Sequence, residues 1–189
     1  LLWPGMPEGS ARTNLRQIIY YLRKILPEIT AVEDPESPVP LLFVNRKSIQ
    51  LNPAAVVVVD AREFEAHLAN SRSHDHVDLL SCAVCREDLL QAIELYRGDF
   101  LHDFYLDDSD SYEEWAQVKR EAYRRQALDA LEILAAMYLS QKAYAEAQVF
   151  AERQLEIDNL RESAYRQLME IMALSGRRTE AMAVYEDCG

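Results

Sequence analysis

Small and apolar residues return at an interval of 34 positions in the C-terminal part of the sequence. Ala181 follows Ala147 at this interval, and Leu168 follows Leu134 in the same way. Around both pairs, apolar residues recur every three or four positions, which is the spacing of one helical face. A repeat of this length predicts a pair of helices that stacks on the next pair to bury a shared core.

The repeat can be followed through two helices of one unit. A first helix is indicated by Leu131, Leu134, Ala135 and Tyr138, and a second helix by Tyr144, Ala147, Ala151 and Leu155. Asn159 stands where a proline would end the unit, and Met169 replaces a small residue in the next one. This is the pattern of a degenerate tetratricopeptide repeat, with a further half-match at Ala92 and Tyr96. We predict two to three stacked helix hairpins, more than half of the residues in helix and almost no strand after Asp60.

The N-terminal part follows a different pattern. Leucine and isoleucine recur at helical spacing from residue 14 to residue 26, with Ser10 or Thr13 as the cap and Pro27 as the end of the helix. Two short apolar runs, at 41–44 and 49–51, enclose a polar tetrad and predict a β-hairpin. The run of valines that follows is the candidate for one more strand. The predicted fold is therefore mainly α, with one helix and a hairpin at the N-terminus.

Further helices are predicted throughout the remainder of the chain. An acidic residue three positions after a capping side chain marks two helix starts, Asp60 with Glu63 and Ser111 with Glu114. Residues 70–78 are polar and predict a loop. The predicted helical ranges are 61–69, 79–97, 111 to about 138, 145–157, 161–174 and 179–186.

Charge is distributed unevenly along the chain. The net charge is −12, which by itself argues against nucleic acid as a partner. Up to Pro53, however, there are six basic and five acidic residues, whereas the remainder holds 14 basic and 27 acidic residues. Residues 11–26 include four basic side chains and no acidic one. The two parts are therefore expected to face different partners.

Signatures of catalysis are missing from the sequence. It has no GxSxG, no HExxH and no glycine-rich phosphate loop, and it contains only five glycines. We therefore expect no enzymatic activity and no cofactor. No run of about 18 apolar residues occurs, so we expect no membrane partner. Three cysteines do not make a disulfide framework, which favours a cytoplasmic location.

Several short motifs resemble those of a known family. They are LYRGDFL at 95–101, FYLDDS at 104–109, EW at 114–115 and SGRRTEA at 175–181. In this order and spacing they resemble the bacterial transcriptional activator domain of the Streptomyces antibiotic regulatory protein family. Upstream, the segments LWP at 2–4, ARTNLR at 11–16 and LRK at 22–24 are similar to the end of the response-regulator-type winged helix that precedes this domain.

The resemblance implies a transcription activator with two parts. Residues 1–58 would be the C-terminal part of a winged-helix DNA-binding domain, and residues 59–189 a tetratricopeptide-like activator domain. The chain does not begin with Met, so we expect it to be a piece of a longer protein whose upstream helices complete the winged helix. On this interpretation the 189-residue chain binds duplex promoter DNA weakly or not at all, and an extended chain binds it with a steep salt dependence.

The basic N-terminal helix is the candidate for contacting DNA. A helical wheel places Thr13, Arg16, Gln17, Tyr20 and Lys24 opposite the apolar face, flanked by Arg12 and Arg23. Arginine and glutamine side chains pair with base edges in the major groove, and lysine binds phosphate. The resemblance implies that Arg46 and Lys47, at the tip of the hairpin, are wing residues on the DNA backbone. The alternative is an ordinary solvated helix face.

A second candidate surface follows from the repeat, because the first helices of tetratricopeptide units line the concave side. The predicted partner-binding face consists of Asp129, Glu132, Ile133, Ala136, Leu139, Ser140, Arg166, Gln167 and Glu170. Its partner would be the transcription machinery or a second copy of the protein, giving a homodimer. The rival function is a peptide-binding adaptor that never meets DNA.

A metal- or thiol-based sensor is a third hypothesis, and it rests on His74, His76, Cys82 and Cys85. Imidazole and thiolate are zinc ligands, and CxxC is a ligand spacing. The same two cysteines lie three positions apart in a predicted helix, so both thiols can instead pack inward. The pattern favours this packing and a polar histidine loop, and we predict no metal site.

Two other clusters have ordinary explanations. The acidic residues at 107, 108 and 110 lack the glycine and the final glutamate of a calcium loop, and they fit the positive end of a helix dipole. The aromatic residues are expected in the core and not around a ligand. They are Phe100, Phe104, Tyr105, Tyr112 and Trp115.

Overall fold

The computed structural model of the chain describes residues 3, 5–26, 28–29, 36–45, 48–106 and 109–187. Within these residues it contains seven α-helices and four short strands, which confirms the mainly helical fold. The chain divides into two compact units. The N-terminal unit is Leu1–Val59 with Leu106–Glu113, and the helical unit is Asp60–Tyr105 with Glu114–Gly189. None of the described helices is long and apolar enough to cross a membrane.

The N-terminal unit combines one helix with two pairs of strands. Its elements are α1 (Glu8–Ile25), β1 (Glu28–Ile29), β2 (Val39–Pro40), β3 (Leu42–Val44) and β4 (Ile49–Leu51). β1 pairs antiparallel with β2, and β3 pairs antiparallel with β4 in the predicted hairpin, where Phe43 lies opposite Gln50. The hairpin end is closed by the Ser48 amide, which donates to the Asn45 side-chain oxygen at 2.8 Å.

α1 begins earlier than the apolar pattern indicates. It starts at Glu8, directly after Pro7, and therefore Ser10 and Thr13 lie inside the helix and do not cap it. The Thr13 hydroxyl donates instead to the Gly9 carbonyl at 3.0 Å. Apolar periodicity marks the buried face of a helix, and the first turn of α1 is polar, so the pattern could not locate it.

The strands also differ from those predicted. Among the described residues, 56–59 form no strand, and three of the four valines there are exposed. The β1–β2 pair was not predicted, because strands of two residues carry no periodicity. Valine has a high strand propensity, but a strand forms only where a partner accepts its backbone hydrogen bonds.

The helical unit holds the remaining six described helices. They are α2 (Asp60–Ser73), α3 (Ala83–Leu95), α4 (Asp110–Ser140), α5 (Tyr144–Ile157), α6 (Glu162–Leu174) and α7 (Arg178–Asp187), with a 3-10 turn at Leu79–Ser81. α2 packs on α3, α5 on α6, and α6 on α7. No strand occurs among the described residues after Asp60, as predicted.

Two apolar clusters form the core of the helical unit. The first is built by α2, α3 and α4 and includes Phe64, Ile93 and Leu131. The second is built by α5 and α6 together with Ala135 of α4, and Ala181 of α7 packs at its edge. α4 contributes to both clusters, so it is the element that joins them.

The 34-residue interval is also visible in the backbone. α5 and α7 begin 34 residues apart, and the turns before them carry left-handed residues at Lys142 (φ 60°) and Gly176 (φ 86°). The amides of Ala143 and Arg177 each bond to the carbonyl five residues earlier, both at 2.9 Å. This pattern is the Schellman motif, which ends a helix with one left-handed residue. The repeat therefore includes the helix ends as well as the buried side chains.

The observed starts of α3 and α4 also differ from those predicted. The range 79–97 is interrupted because Cys82 is extended and caps α3, which begins at Ala83. α4 begins at Asp110, so Ser111 lies in its first turn and the predicted capping box is wrong. Ser109 precedes this helix and is buried, and its carbonyl accepts the Tyr112 amide at 3.0 Å.

The aromatic residues around position 100 are only partly in the core. Tyr112 is buried and Phe100 is half-buried, but Phe104, Tyr105 and Trp115 are exposed. The rings of Phe100 and Trp115 meet edge to face, with centroids 5.7 Å apart. The prediction of a buried set is therefore wrong for three members, because a connector on the surface exposes side chains whatever their polarity.

Replacing Ala147 by leucine tests the packing of the second cluster. Ala147 is fully buried in α5 and packs in the same cluster as Leu168 and Ile171 of α6. The added methyl groups have no space there, so Ala147→Leu should lower the free energy of unfolding by about 1–3 kcal/mol. The matched control is Val149→Leu in the same helix, at a position that is 58% exposed. Thermal melts should show a lower Tm only for Ala147→Leu, and equal Tm values would contradict this packing.

Candidate functional site

The residues of α1 that were predicted to contact DNA all lie on the surface. The structure exposes Arg12, Thr13, Arg16, Gln17, Tyr20, Arg23 and Lys24. The predicted wing residues Arg46 and Lys47 lie outside the described residues. These exposed side chains give α1 a polar and basic surface, as a DNA-contacting helix requires.

Two local contacts involve the charges of α1. The Arg12 guanidinium forms an ion pair with Glu8 at 2.5 Å, one turn earlier in the helix. The Lys24 ammonium lies over the Tyr20 ring, 4.4 Å from its centroid. Exposed contacts of these kinds contribute little to stability. Both cations can therefore exchange them for other partners at small cost.

A groove of about 460 Å³ runs between α1 and the β3–β4 hairpin. Arg12, Leu15, Arg16 and Ile19 line it, and these positions share one face of the helix. Arg16 is exposed at the rim of this groove, on the same side of α1 as Leu15 and Ile19. The side of α1 that faces away from the groove carries Thr13, Gln17, Tyr20 and Lys24.

An apolar stripe on α1 is open to solvent. Ile18, Tyr21 and Ile25 are 44%, 56% and 74% exposed. Ile19 is the one buried residue among the apolar side chains of this helix in the described part of the chain. The hairpin covers only one edge of the predicted apolar face. This leaves a surface of the kind that another helix would cover.

The predicted partner face on α4 and α6 contains both free and engaged residues. Those that are exposed are Asp129, Ser140, Arg166 and Glu170, and those that are half-buried are Glu132, Ile133, Ala136, Leu139 and Gln167. Ile133 packs against the first core cluster and Leu139 against the second. The accessible part of the face is thus smaller than the sequence indicates, and it remains charged.

Glu132 is at the centre of a polar link between α4 and α6. The Arg161 guanidinium, only 19% exposed, donates to the Glu132 carboxylate at 2.6 Å and lies 3.4 Å from Asp129. The Gln167 amide donates to the Glu132 backbone carbonyl at 3.0 Å. Removing Glu132 would leave the largely buried Arg161 guanidinium without its shorter ion pair. Glu132 therefore has a structural role, whatever else binds the face.

Arginines from other helices hold the segment that follows α3. Arg153 of α5 donates to the carbonyls of Ile93 and Tyr96, both at 3.0 Å. Arg120 of α4 donates to the Phe100 carbonyl at 2.9 Å. The carbonyls at a helix end lack partners within the helix, and these side chains supply them. The LYRGDFL segment is thereby fixed to α4 and α5.

A pocket of about 460 Å³ opens beside this segment, with Phe64, Tyr96 and Tyr123 in its wall. Burial is the main cause that raises the pKa of Tyr96 and of Tyr123, each to about 12. The Tyr123 hydroxyl donates to the Glu65 carboxylate at 2.7 Å, which further favours the neutral form. Both phenols are therefore uncharged over the whole physiological range of pH.

Cys82 and Cys85 have different environments at the start of α3. Cys82 is half-buried at the N-cap, and backbone hydrogen bonds, first that from the Cys85 amide, lower the pKa of its thiol. Cys85 is buried, and burial raises the pKa of its thiol. Cys85 lies in the first core cluster and the half-buried Cys82 packs against it, so both thiols pack inward as interpreted. The ligand atoms of His74 and both cysteines lie within 4.8 Å of one another.

The helical part of the chain matches a known protein-family model. Residues 59–189 match the model of the bacterial transcriptional activator domain. The chain belongs to this family. The family is one of transcriptional activators, and it is not a known enzyme family. A comparison with curated proteins gives no match.

Two features of this activator domain were not predicted from its sequence. The first is the set of arginine bonds to carbonyls, made by Arg120 and Arg153, and the second is the link between Arg161 and Glu132. Their partners lie between 19 and 60 positions away in the sequence. Periodicity within a helix carries no information about such remote acceptors. The one available signal in the sequence was the presence of arginines between the apolar positions of a helix.

Alkaline unfolding tests the environment of the buried tyrosines in the activator domain. In the unfolded chain Tyr123 ionises near pH 10, whereas in the folded chain its pKa is about 12. The stability that the neutral phenol contributes is therefore complete below pH 10 and is lost as the pH rises toward 12. We expect the free energy of unfolding of Tyr123→Phe to fall less steeply with pH over this range. The control is Tyr185→Phe, at a position that is 65% exposed, and identical pH profiles for the two variants would contradict the prediction.

Proposed function

We propose that the chain is part of a DNA-binding transcription activator in which α1 contacts duplex promoter DNA. The observation that carries the proposal is the exposure of a basic helix face in a chain that belongs to an activator family. Its arginine, glutamine and threonine side chains match the groups that read base edges and phosphates. The opposite charge balance of the chain after Pro53 argues that DNA contact is confined to the N-terminal unit.

The exposed stripe of Ile18, Tyr21 and Ile25 supports a larger N-terminal domain. A recognition helix must be held at a fixed angle to the groove by its neighbours. One hairpin edge does not supply this support. We propose that helices upstream of Leu1 cover the stripe and complete a winged helix, with Arg46 and Lys47 on the DNA backbone.

The second part of the proposal concerns a protein partner of the helical unit. The accessible residues Asp129, Arg166 and Glu170 form a charged, mainly acidic surface on α4 and α6. Such a surface favours a partner with a basic patch, because charge complementarity speeds association and excludes other partners. We propose a component of the transcription machinery, or a second copy of the protein, as this partner.

The DNA proposal is tested by titrating promoter DNA at two salt concentrations. We expect weak binding by the 189-residue chain and tight, salt-sensitive binding by a chain extended upstream of Leu1. In the extended chain, Arg16→Ala should lower discrimination between sequences by about 1–3 kcal/mol if Arg16 reads a base. Lys47→Ala should weaken binding to all sequences alike.

A charge-matched control separates specific contacts from a general loss of positive charge. Arg125→Ala removes an exposed arginine of α4 and should leave DNA binding unchanged. No binding by the extended chain would reject the DNA proposal and favour the adaptor. Tight binding by the short chain would show that α1 needs no further support.

The partner proposal is tested by charge reversal at Glu170. Because Glu170 is exposed, Glu170→Lys should leave the Tm unchanged and weaken partner binding by about 1 kcal/mol, roughly fivefold. Promoter activation by the intact regulator is the measurement. The control is Glu186→Lys, at an exposed position of α7. Glu132→Lys is unsuitable as a test, because it also breaks the link to Arg161.

Sedimentation of the 189-residue chain distinguishes the two partners. A concentration-dependent dimer that Glu170→Lys weakens would identify a second copy. A monomer at all concentrations, together with reduced activation by the variant, would identify the transcription machinery. Unchanged activation by Glu170→Lys would show that the partner uses another surface.

A further inference from the structure

Four potential metal ligands meet where α2 ends and α3 begins, and we call them the cysteine–histidine cluster. It consists of His74, His76, Cys82 and Cys85. The ring nitrogen of His74 and the sulfur atoms of both cysteines lie within 4.8 Å of one another. In a tetrahedral zinc site, with bonds of about 2.0–2.3 Å, ligand atoms lie roughly 3.4–3.8 Å apart. Side-chain adjustments of about 1 Å would therefore bring these three atoms to the spacing of a zinc site.

His76 stands beside one of these sulfur atoms, that of Cys85. Its Nδ1 is 3.6 Å from the Cys85 Sγ, which is already the separation of two ligand atoms on one zinc ion. The same Nδ1 lies 2.8 Å from the His74 carbonyl, which can only accept, so Nδ1 carries the proton. For His76 to bind a metal through Nδ1, that proton has to move to Nε2, which leaves the ring neutral.

The backbone prepares the two cysteines for a cation. Cys82 caps α3, and its sulfur accepts the Cys85 amide at 3.5 Å, so it already acts as an acceptor at the positive end of a helix. Cys85 is buried one turn later and donates to the Ser71 carbonyl at 3.5 Å. A thiol is a weak donor, so losing this bond costs little. Cys82 is half-buried, and it leaves a path from solvent to the cluster.

We propose that the cysteine–histidine cluster binds one zinc ion, with one ligand atom from each of its four residues. Two thiolates and two imidazoles are a set that zinc prefers, and four protein ligands are typical of a structural site. Binding releases the two thiol protons to solvent and changes no oxidation state.

The ion would fasten two helices of the first core cluster to each other. The two histidines follow the last turn of α2, and the two cysteines cap and open α3. A second contact already links the same helices, since His67 lies 2.9 Å from Asp88. A metal bound only by the folded chain stabilises it in proportion to its affinity and concentration. Zinc therefore acts here as a clamp on the α2–α3 hairpin.

The first measurement is the metal content of the 189-residue chain, purified without a tag under reducing conditions. We expect about one zinc ion per chain and an increase of Tm when zinc is added to the stripped protein. Cobalt in place of zinc should show thiolate charge-transfer bands and the visible bands of a tetrahedral ion.

Cys82→Ser is the most informative variant, because serine is a preferred N-cap and should keep α3 intact. Loss of a supporting residue alone costs about 10–100-fold in metal affinity, so loss of this ligand should cost about 100-fold or more. The helical content should be unchanged in the stripped protein, and the response of Tm to zinc should vanish. The matched control is Cys188→Ser, which should bind zinc like the unaltered chain.

His76→Ala tests the fourth ligand. The cobalt bands should keep their thiolate character and lose tetrahedral symmetry or intensity, and zinc affinity should fall by more than about tenfold. A reduced chain that binds no zinc would overturn the proposal, and so would equal binding by Cys82→Ser. If the chain binds no zinc and mild oxidation reversibly removes two hydrogen atoms, the cluster forms a Cys82–Cys85 disulfide and is not a metal site.

Discussion

The helical unit depends on the burial of two faces of α4 at once. One face of this 31-residue helix packs on α2 and α3, and another contributes Ala135 to the cluster of α5 and α6. Alanines at 127, 130 and 135 are buried, and their small side chains let neighbouring helices approach closely. Leu131, Leu134 and Met137 fill the remaining volume between them. A helix buried on two sides cannot be moved without opening both clusters, so the other helices take their positions from α4.

Polar groups at the helix ends are satisfied by long-range bonds from arginine. Arg153 reaches the carbonyls at the end of α3, and Arg120 reaches those of the segment that follows it. Buried carbonyls without partners would cost about as much as a lost hydrogen bond each. These guanidinium groups therefore fix the register between helix hairpins. Apolar contacts alone define this register poorly, because the hydrophobic effect has no direction. The repeat supplies the spacing, and the arginines select one arrangement within it.

The parts of the fold that could be predicted from sequence are those governed by local periodicity. The 34-residue interval, the helices of the repeat and the β3–β4 hairpin all follow from side-chain patterns within one element. The start of α1, the break at Cys82 and the exposure of Trp115 could not be predicted, because each depends on a turn or a neighbour that leaves no periodic trace. For the candidate sites, the nominated residues of α1 were on the surface, but the position of Arg16 depended on where the hairpin packs. Glu132 was nominated because first helices of the repeat line its concave side, and its ion pair with Arg161, 29 positions away, could not be read from the repeat.

The charge balance of the chain argues for a division of labour between its two units. A helical unit with a large excess of acidic residues is repelled by phosphate, and some of its arginines, such as Arg153, are committed to internal acceptors. Any DNA affinity must therefore come from the N-terminal unit, where basic side chains of α1 carry only weak, exposed contacts. An acidic surface that phosphate repels remains available to a protein partner. The same acidity favours cations, and the two sulfur atoms at the start of α3 offer one of them a site with directed ligands, which scattered surface carboxylates do not.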